Sequence, residues 1–516
     1  MHLSRLRSGA ALATALATTA ALSLGLAPSA SAHGDQDRID KMLAENAASP
    51  SDPLVTSSNV EHVRNVPGQV GISGCFMKTA PLFVTSGLDS VKVFNVKDPL
   101  APREVGQLPN AVFENEAMNC GERKMRSGTK RFALIGVDAV QASPGDIDHV
   151  NALENELIVV DVTNAANPRI QGRAFGTTST HTVACVQKTD CRYAYSAGSS
   201  RNETFSIFDL TDLSNPREVD SNPNTAGVQP FSSPTAAHKW NFDNAGYATH
   251  TGFEGSSIFD VSQPRNPVLV TTTGRAGRGE NADGTKNGYN DFIHHNSFRP
   301  NAKAFQPDAA PSIANGNVLL ITEEDYEDVN CSTAGSFQTW HVKRLNGEPN
   351  AIVPLDKVEL TDLDKSALPA NPGFCSSHWF DYHPSGIVSV GFYGGGTQFV
   401  DVRQPKEIKS YGKAVWPTAS EVWDSYWVPV FNKNGVDTGK QTNVAYSVDL
   451  IRGLDVYSVD LPGSSGTTNA VSLSSTNPFT AFSWPEDALP ISLIVLAFGG
   501  FFMLRRRAAG AVVDRS

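Results

Sequence analysis

The sequence predicts an all-β fold: a seven-bladed β-propeller whose last blade is completed by an amino-terminal strand, followed by a carboxy-terminal transmembrane helix. Three observations predict the ring. A strand–turn–strand signature recurs along the middle of the 516-residue chain. Two further strand-like runs precede the signature in each unit, and four antiparallel strands make one propeller blade. The unit at the carboxy-terminal end lacks its fourth strand, while an unattached strand-like run stands near the amino-terminal end.

In chain order, the first element is the opening MHLSRLRSGAALATALATTAALSLGLAPSASAHGDQD. Its basic start, Ala/Leu-rich stretch and small-residue site Ala30-Ser31-Ala32 predict a secretory signal peptide over 1–32, cleaved before His33. Residues 33–58 read as a flexible segment. The run VEHVRNVPGQVG that follows reads like REVGQLPNAV, the fourth strand of the first unit. It is therefore expected to complete the last blade, which would remove the ring's exposed edges.

The signature itself reads VKVFNVKDPLAPREVG, LIVVDVTNAANPRIQG, FSIFDLTDLSNPREVD, SSIFDVSQPRNPVLVT and TQFVDVRQPKEIKSYG in its five clear copies. Each is an apolar β-branched run, usually an Asp, a Pro-bearing turn and a second short extended run, the pattern of two antiparallel strands. The acceptor oxygens of Asp161, Asp209 and Asp260 can tie down the turn, and Pro168, Pro216 and Pro267 restrict its backbone. Two degenerate units, one around GNVLLITEEDYEDVNCSTAGSFQTWHVKRL and one ending NVAYSVDLIRGLDVYSVD, bring the total to seven over 59–461.

These copies resemble the LVIVD repeat family, whose name is nearly spelled by Leu157–Asp161. The resemblance covers most of the chain and implies a β-propeller. Beyond it, PGSSGTTNAVSLSSTNP opens a Ser/Thr/Gly-rich linker over 462–486. The uncharged run from Ala488 to Leu504 is long enough to span a bilayer, and Arg505, Arg506 and Arg507 follow at once. A single-pass anchor is thus expected over 487–507, with a cytoplasmic tail at 508–516 and the propeller outside the cell. At 40% apolar and 18% charged residues the body reads as a globular ectodomain. The formal charge of −11 argues against nucleic acid as a partner. A monomer is expected.

Aligning the innermost strand of each unit places His181, His238, His294 and His378 at one position in four consecutive blades, with Glu116 and Glu421 at that position in two others. Equivalent positions in a closed ring surround one axis. Imidazoles suit iron, copper, zinc or manganese, and carboxylates either ligate or orient imidazoles from behind. Two readings stay open at this point: one bound transition metal with the four histidines as ligands and the two glutamates behind them, or a hydrogen-bonded polar collar lining a wet channel. The set is similar in kind to that of carotenoid-cleaving dioxygenases, seven-bladed propellers that hold iron with four histidines backed by glutamates. That likeness implies a metal-dependent oxidoreductase or lyase.

Nearby, His295 and His250 read as outer-shell groups and His383 as a turn residue. The acidic run TEEDYEDVNC, with Glu323, Glu324, Asp325, Glu327 and Asp328, offers hard oxygen donors for calcium or else a solvated loop. Cysteines in an exported chain suggest disulfides, and their spacing leaves the pairing open. Blade topology sets Cys75 and Cys120 at equivalent places on adjacent inner strands and Cys185 and Cys191 across one turn. It puts Cys331 and Cys375 in loops on one face; these three pairings are the expectation. No G-x-S-x-G, H-E-x-x-H, P-loop or dinucleotide fingerprint stands out. The functional expectation is a surface-tethered propeller that binds a protein or small-molecule ligand on its loop face. The metal enzyme and a purely structural surface protein stand as alternatives.

Overall fold

The structure, a computed structural model, describes residues 54–463 apart from 68–70, 88–89, 110–115, 138–154, 199–202, 236, 274–287, 290, 326–330, 364–374 and 417–419. Successive antiparallel sheets occupy 71–109, 119–175, 182–218, 237–272, 293–358 and 380–415, blades 1 to 6 in turn. Blade 7 takes three strands from the end of the described chain, Val422–Phe431, Asp437–Asp449 and Gly453–Val459, and its fourth from Val60–Val66. The closing strand runs antiparallel to Gly453–Val459, from Val60 opposite Val459 to Val66 opposite Leu454. The inner strand of blade 7 packs against that of blade 1, so the ring is shut.

Apolar burial lies between blades rather than within them. One buried cluster, with Val84, Val93, Ile135 and Val160, fills the interface of blades 1 and 2. Equivalent clusters fill each following interface, the last joining Phe83 and Phe94 of blade 1 to Tyr446 and Val456 of blade 7. This explains the signature's composition. The strand Glu156–Asp161 is buried along its whole length because a neighbouring blade covers each face. Such a strand needs a continuous apolar run, not alternation.

The rest of the signature builds the turn and its fit to the next blade. Asp161, Asp209, Asp260 and Asp401 each accept, through Oδ1, the backbone N–H two residues on, at 2.8–2.9 Å. These side-chain-to-backbone bonds fix the turn as expected of Asx motifs. The glycine ending three of the five copies answers a close approach. A Cβ at Gly106 would meet the Ala165 carbonyl oxygen at 1.9 Å, and one at Gly172 would meet that of Leu213 at 2.3 Å. The outer strands of blades 1 and 2 thus press against the Pro-bearing turns of the blades that follow them, while Gly412 of blade 6 faces Ser57 and Asn59.

The expected membrane helix is the main correction. Among the described residues no helix is long and apolar enough to cross a membrane. The segment 487–507 lies outside the described residues, as do the leader 1–32, the linker from 464, the tail 508–516, and Glu327 with Asp328. Over the described residues the fold class is therefore the all-β propeller. The segment 33–58, expected to be flexible, is ordered at its end: Val55–Thr56 pairs with Val415 and Ala414 at the edge of blade 6.

Two outcomes follow from this packing. Gly172→Ala should destabilise the propeller by about 1–3 kcal/mol, because the turn at Leu213 has nowhere to move; urea denaturation measures it. His250 is buried in blade 4, stacked on Trp240 at 4.1 Å, with Nδ1 2.6 Å from the Ser233 hydroxyl. Burial pushes its pKa from 6.5 to about 3. The unfolded chain then takes a proton that the folded one refuses, so stability is complete above pH 6.5 and falls between pH 6.5 and about 3. Asp381, Asp424 and Asp449, whose buried carboxyls are raised, act with the opposite sign. The variant comparison isolates the histidine: His250→Phe should lose less Tm than the parent between pH 7 and pH 4 in thermal melts.

Candidate metal centre

The inner strands begin close to the axis, and the side chains at their starts meet there. Glu116 precedes the inner strand of blade 2, anchored by a bridge from Ala117 to Thr182 and by Met118 N–H donating to Ser73 Oγ at 3.0 Å. Its carboxylate is fully buried and four imidazoles surround it. Nε2 of His181 and of His378 are in hydrogen-bond contact with its two oxygens. Nε2 of His295 stands 2.6 Å from Oε1, and Nε2 of His238 3.6 Å from Oε2. The rings follow one another around the axis, with centroids 4.9 Å apart for His181 and His238, 4.3 Å for His238 and His295, and 4.1 Å for His295 and His378. A second carboxylate, Glu324, lies 3.4 Å from His295 Nε2. Ligand atoms from Glu116, His238, His295 and Glu324 all lie within 4.8 Å of one another.

Neighbouring blades hold the backbones of three of these histidines in place. Thr182 of blade 3 donates its hydroxyl to the His238 carbonyl at 2.5 Å. Thr251 of blade 4 does the same to His295 at 2.9 Å, and Thr322 of blade 5 to His378 at 2.5 Å. Each clasp joins a blade to the next one round the ring. At His378, Nδ1 lies 2.7 Å from the Trp423 carbonyl oxygen, which only accepts, so Nδ1 carries a hydrogen and Nε2, the atom facing Glu116, is the one that would ligate. Burial holds His378 below its usual pKa, against the pull of Glu116. Glu324 in turn accepts the Tyr393 hydroxyl at 2.5 Å. Tyr393 is buried with φ +47°, a left-handed backbone that a bulky residue adopts only when its surroundings impose it.

Of the residues expected from sequence, His181, His238, His378 and Glu116 come together. His294 does not. Its Nδ1 lies 2.8 Å from Ser256 Oγ and its Nε2 2.6 Å from the Tyr289 carbonyl, away from the axis. The cause is a β-bulge: His294 pairs with Glu323 and Asn296 with Thr322, so His295 falls between them and turns inward. Blade 4 bulges likewise at His238, between Ala237 and Lys239. His238 and His294 each have a Phe four residues on, Phe242 and Phe298, so aligning these strands by sequence matches their far ends, beyond the inserted residue. Glu421 sits one step back, accepting the Trp423 indole N–H at 2.9 Å, while Trp423 packs edge-on against His378. His250 lies in the core of blade 4, and His383 serves its turn with Nδ1 accepting from Ser385 N–H at 3.0 Å.

Glu324, missed from sequence, belongs to the acidic run. Glu323, Glu324 and Asp325 are buried rather than solvated. Glu323 accepts from Phe292 N–H at 3.1 Å and from Gln338 Nε2 at 3.2 Å, and burial raises its pKa to about 8. The signal for Glu324 was register: it is paired with Ile293, next to the tandem histidines. The cysteines form the three expected bonds, Cys75–Cys120, Cys185–Cys191 and Cys331–Cys375.

On one side the cluster is floored by Trp379, whose ring lies 4.1 Å from His295 and 5.0 Å from His378. Lys239 Nζ sits 3.2 Å over the centroid of that ring. Lys239 also lines a cavity of about 1000 Å³ walled by Lys188, Asp381, Asp424 and Tyr426. This wall carries charges of both signs.

No protein family profile matches the chain, and no curated protein matches it in sequence. Among solved structures, the β-propeller domain of Myceliophteria thermophila Cps50 (Swd1) aligns at 9% identity with a TM-score of 0.46, covering 78% of this chain and 100% of that one. A likeness at that distance carries no functional argument.

The hydroxyl on Glu324 generates one test. Tyr393→Phe removes a donor from a buried carboxylate and should cost about 1–3 kcal/mol in urea denaturation.

Proposed function

We propose that this chain is a metal-binding propeller, holding one transition metal ion on its axis. The observation that carries the reading is the convergence of four imidazole Nε2 atoms, from four consecutive blades, on the buried carboxylate of Glu116. His181, His238, His295 and His378 would supply nitrogen, and Glu116 and Glu324 oxygen. Nitrogen with carboxylate oxygen suits iron, manganese, zinc or copper. The fit rests on donor chemistry and support: His378 has its ring orientation set by a backbone carbonyl, and three ring histidines have their backbones clasped by threonines. An ion of this class supplies Lewis acidity or redox chemistry when bound. The chain's own contribution is to hold the imidazoles converged and to keep water from the floor with Trp379.

The disulfides support a site of action in an oxidising compartment, in keeping with the leader-like start of the chain. We place the protein beside LVIVD-type propellers on the strength of its repeats. Its role there is to present a metal centre, with or without a ligand at the loop face.

Elemental analysis of tag-free, chelator-free protein tests the reading. The parent should retain about one equivalent of ion per chain. His238→Ala and His295→Ala should lose most of it, while His294→Ala, one residue away, should keep it. A parent that takes up no ion after exposure to each metal in turn would leave the cluster as a hydrogen-bonded collar and sink the proposal.

A further inference from the structure

The cavity beyond Trp379 has no part in the metal reading, and its charges are unevenly matched. Lys78 pairs with Asp437 at 2.6 Å, and Arg299 Nε with Asp243 at 3.0 Å. Asp381 accepts from Trp427 N–H at 3.0 Å and Gln441 Nε2 at 3.2 Å. Asp424 accepts from Ser425 N–H at 2.8 Å and from the Tyr426 hydroxyl. Among the described residues, Lys188 and Lys239 have no carboxylate at ion-pair distance, although both line this space. Lys239 stands at its inner end, its ammonium resting on the Trp379 face, and Lys188 is open to the cavity. Exposed Lys303 and Lys440 add positive charge to the same wall.

A concave site with an excess of one sign concentrates ions of the other, and the contrast is sharp in a chain of net charge −11. We propose that this cavity binds a small organic anion, a carboxylate or phosphate compound, whose charged group sits between Lys188 and Lys239. At about 1000 Å³ the space accepts a molecule of metabolite size. Two lysines offer point charges with freely turning donors, so the site selects for charge and size more than for planar shape. Side-chain amides of Asn241 and Gln441 and the Tyr426 ring line the remainder and suit a hydroxylated or amide-bearing body. The proposal does not rest on the metal: the anion lies on the far side of Trp379 from the histidines.

Isothermal titration of the full chain with succinate and, separately, with glucose 6-phosphate tests it. At least one should bind saturably, and which one does assigns the carboxylate or the phosphate class. Lys239→Met and Lys188→Met should each weaken that binding about tenfold, while Lys97→Met, at an exposed turn outside the cavity, should leave it unchanged. Thermal melts matching the parent confirm that the variants are folded; should Lys239→Met fail to fold, Lys188→Met carries the test. The proposal is overturned if neither anion binds saturably, or if the cavity variants bind as the Lys97 variant does.

Discussion

Everything at the axis depends on closure of the ring. A sheet of four strands has no reason to point its first residues at a common centre; seven sheets locked edge to face do. The pairing of Val60–Val66 with Gly453–Val459 turns a row of blades into a circle, and the apolar clusters between blades then set the angle at which each inner strand meets the axis. Side chains that are distant in sequence, such as Glu116 and His378, become neighbours through that constraint alone.

Once the starts of the inner strands converge, whatever stands there must be reconciled with burial. An ionised carboxylate shut away from water is tolerated only when donors or cations surround it. Glu116 meets that demand with four imidazoles; the His378 ring is held by a carbonyl of the next blade, and threonine hydroxyls of adjoining blades clasp the backbone carbonyls of His238, His295 and His378. The left-handed backbone of Tyr393 belongs to the same settlement, since it carries a hydroxyl to Glu324. The site is therefore a property of the whole circle, since the groups that meet at Glu116 come from several blades.

Much of the fold was legible because the repeat writes each physical requirement in residues. An apolar run marks a strand covered on both faces, an Asp marks a turn needing an acceptor, and a terminal Gly marks a close approach. The missing fourth strand and the spare amino-terminal one could be matched by eye. The site was legible only in part. Histidines 181, 238 and 378 follow from position, but a tandem pair at 294 and 295 offers two candidates, and a single bulged residue decides between them. Bulges leave no mark in composition, so the alignment chose the wrong neighbour. Glu324 was hidden for a different reason: acidic residues in series read as solvated until pairing with the inner strand shows them to be interior. The apolar run near the carboxy terminus was read from length and flanking arginines, and the described residues hold no helix of that kind.

The seam of the circle has a kinetic meaning. Two inter-blade joints are covalently riveted, between blades 1 and 2 by Cys75–Cys120 and between blades 5 and 6 by Cys331–Cys375. The joint that shuts blade 7 has no disulfide among the described residues: it is a hydrogen-bonded strand whose His62 and Asn65 side chains both reach Asp455, at 2.8 and 3.0 Å, across 393 and 390 positions of chain. A strand made early must wait for a partner made late, so during synthesis the ring cannot be latched before Gly453–Val459 is complete. Release of that latch would be the first act of opening, and the lifetime of the native ring would then follow the hold of seven residues, Val60–Val66.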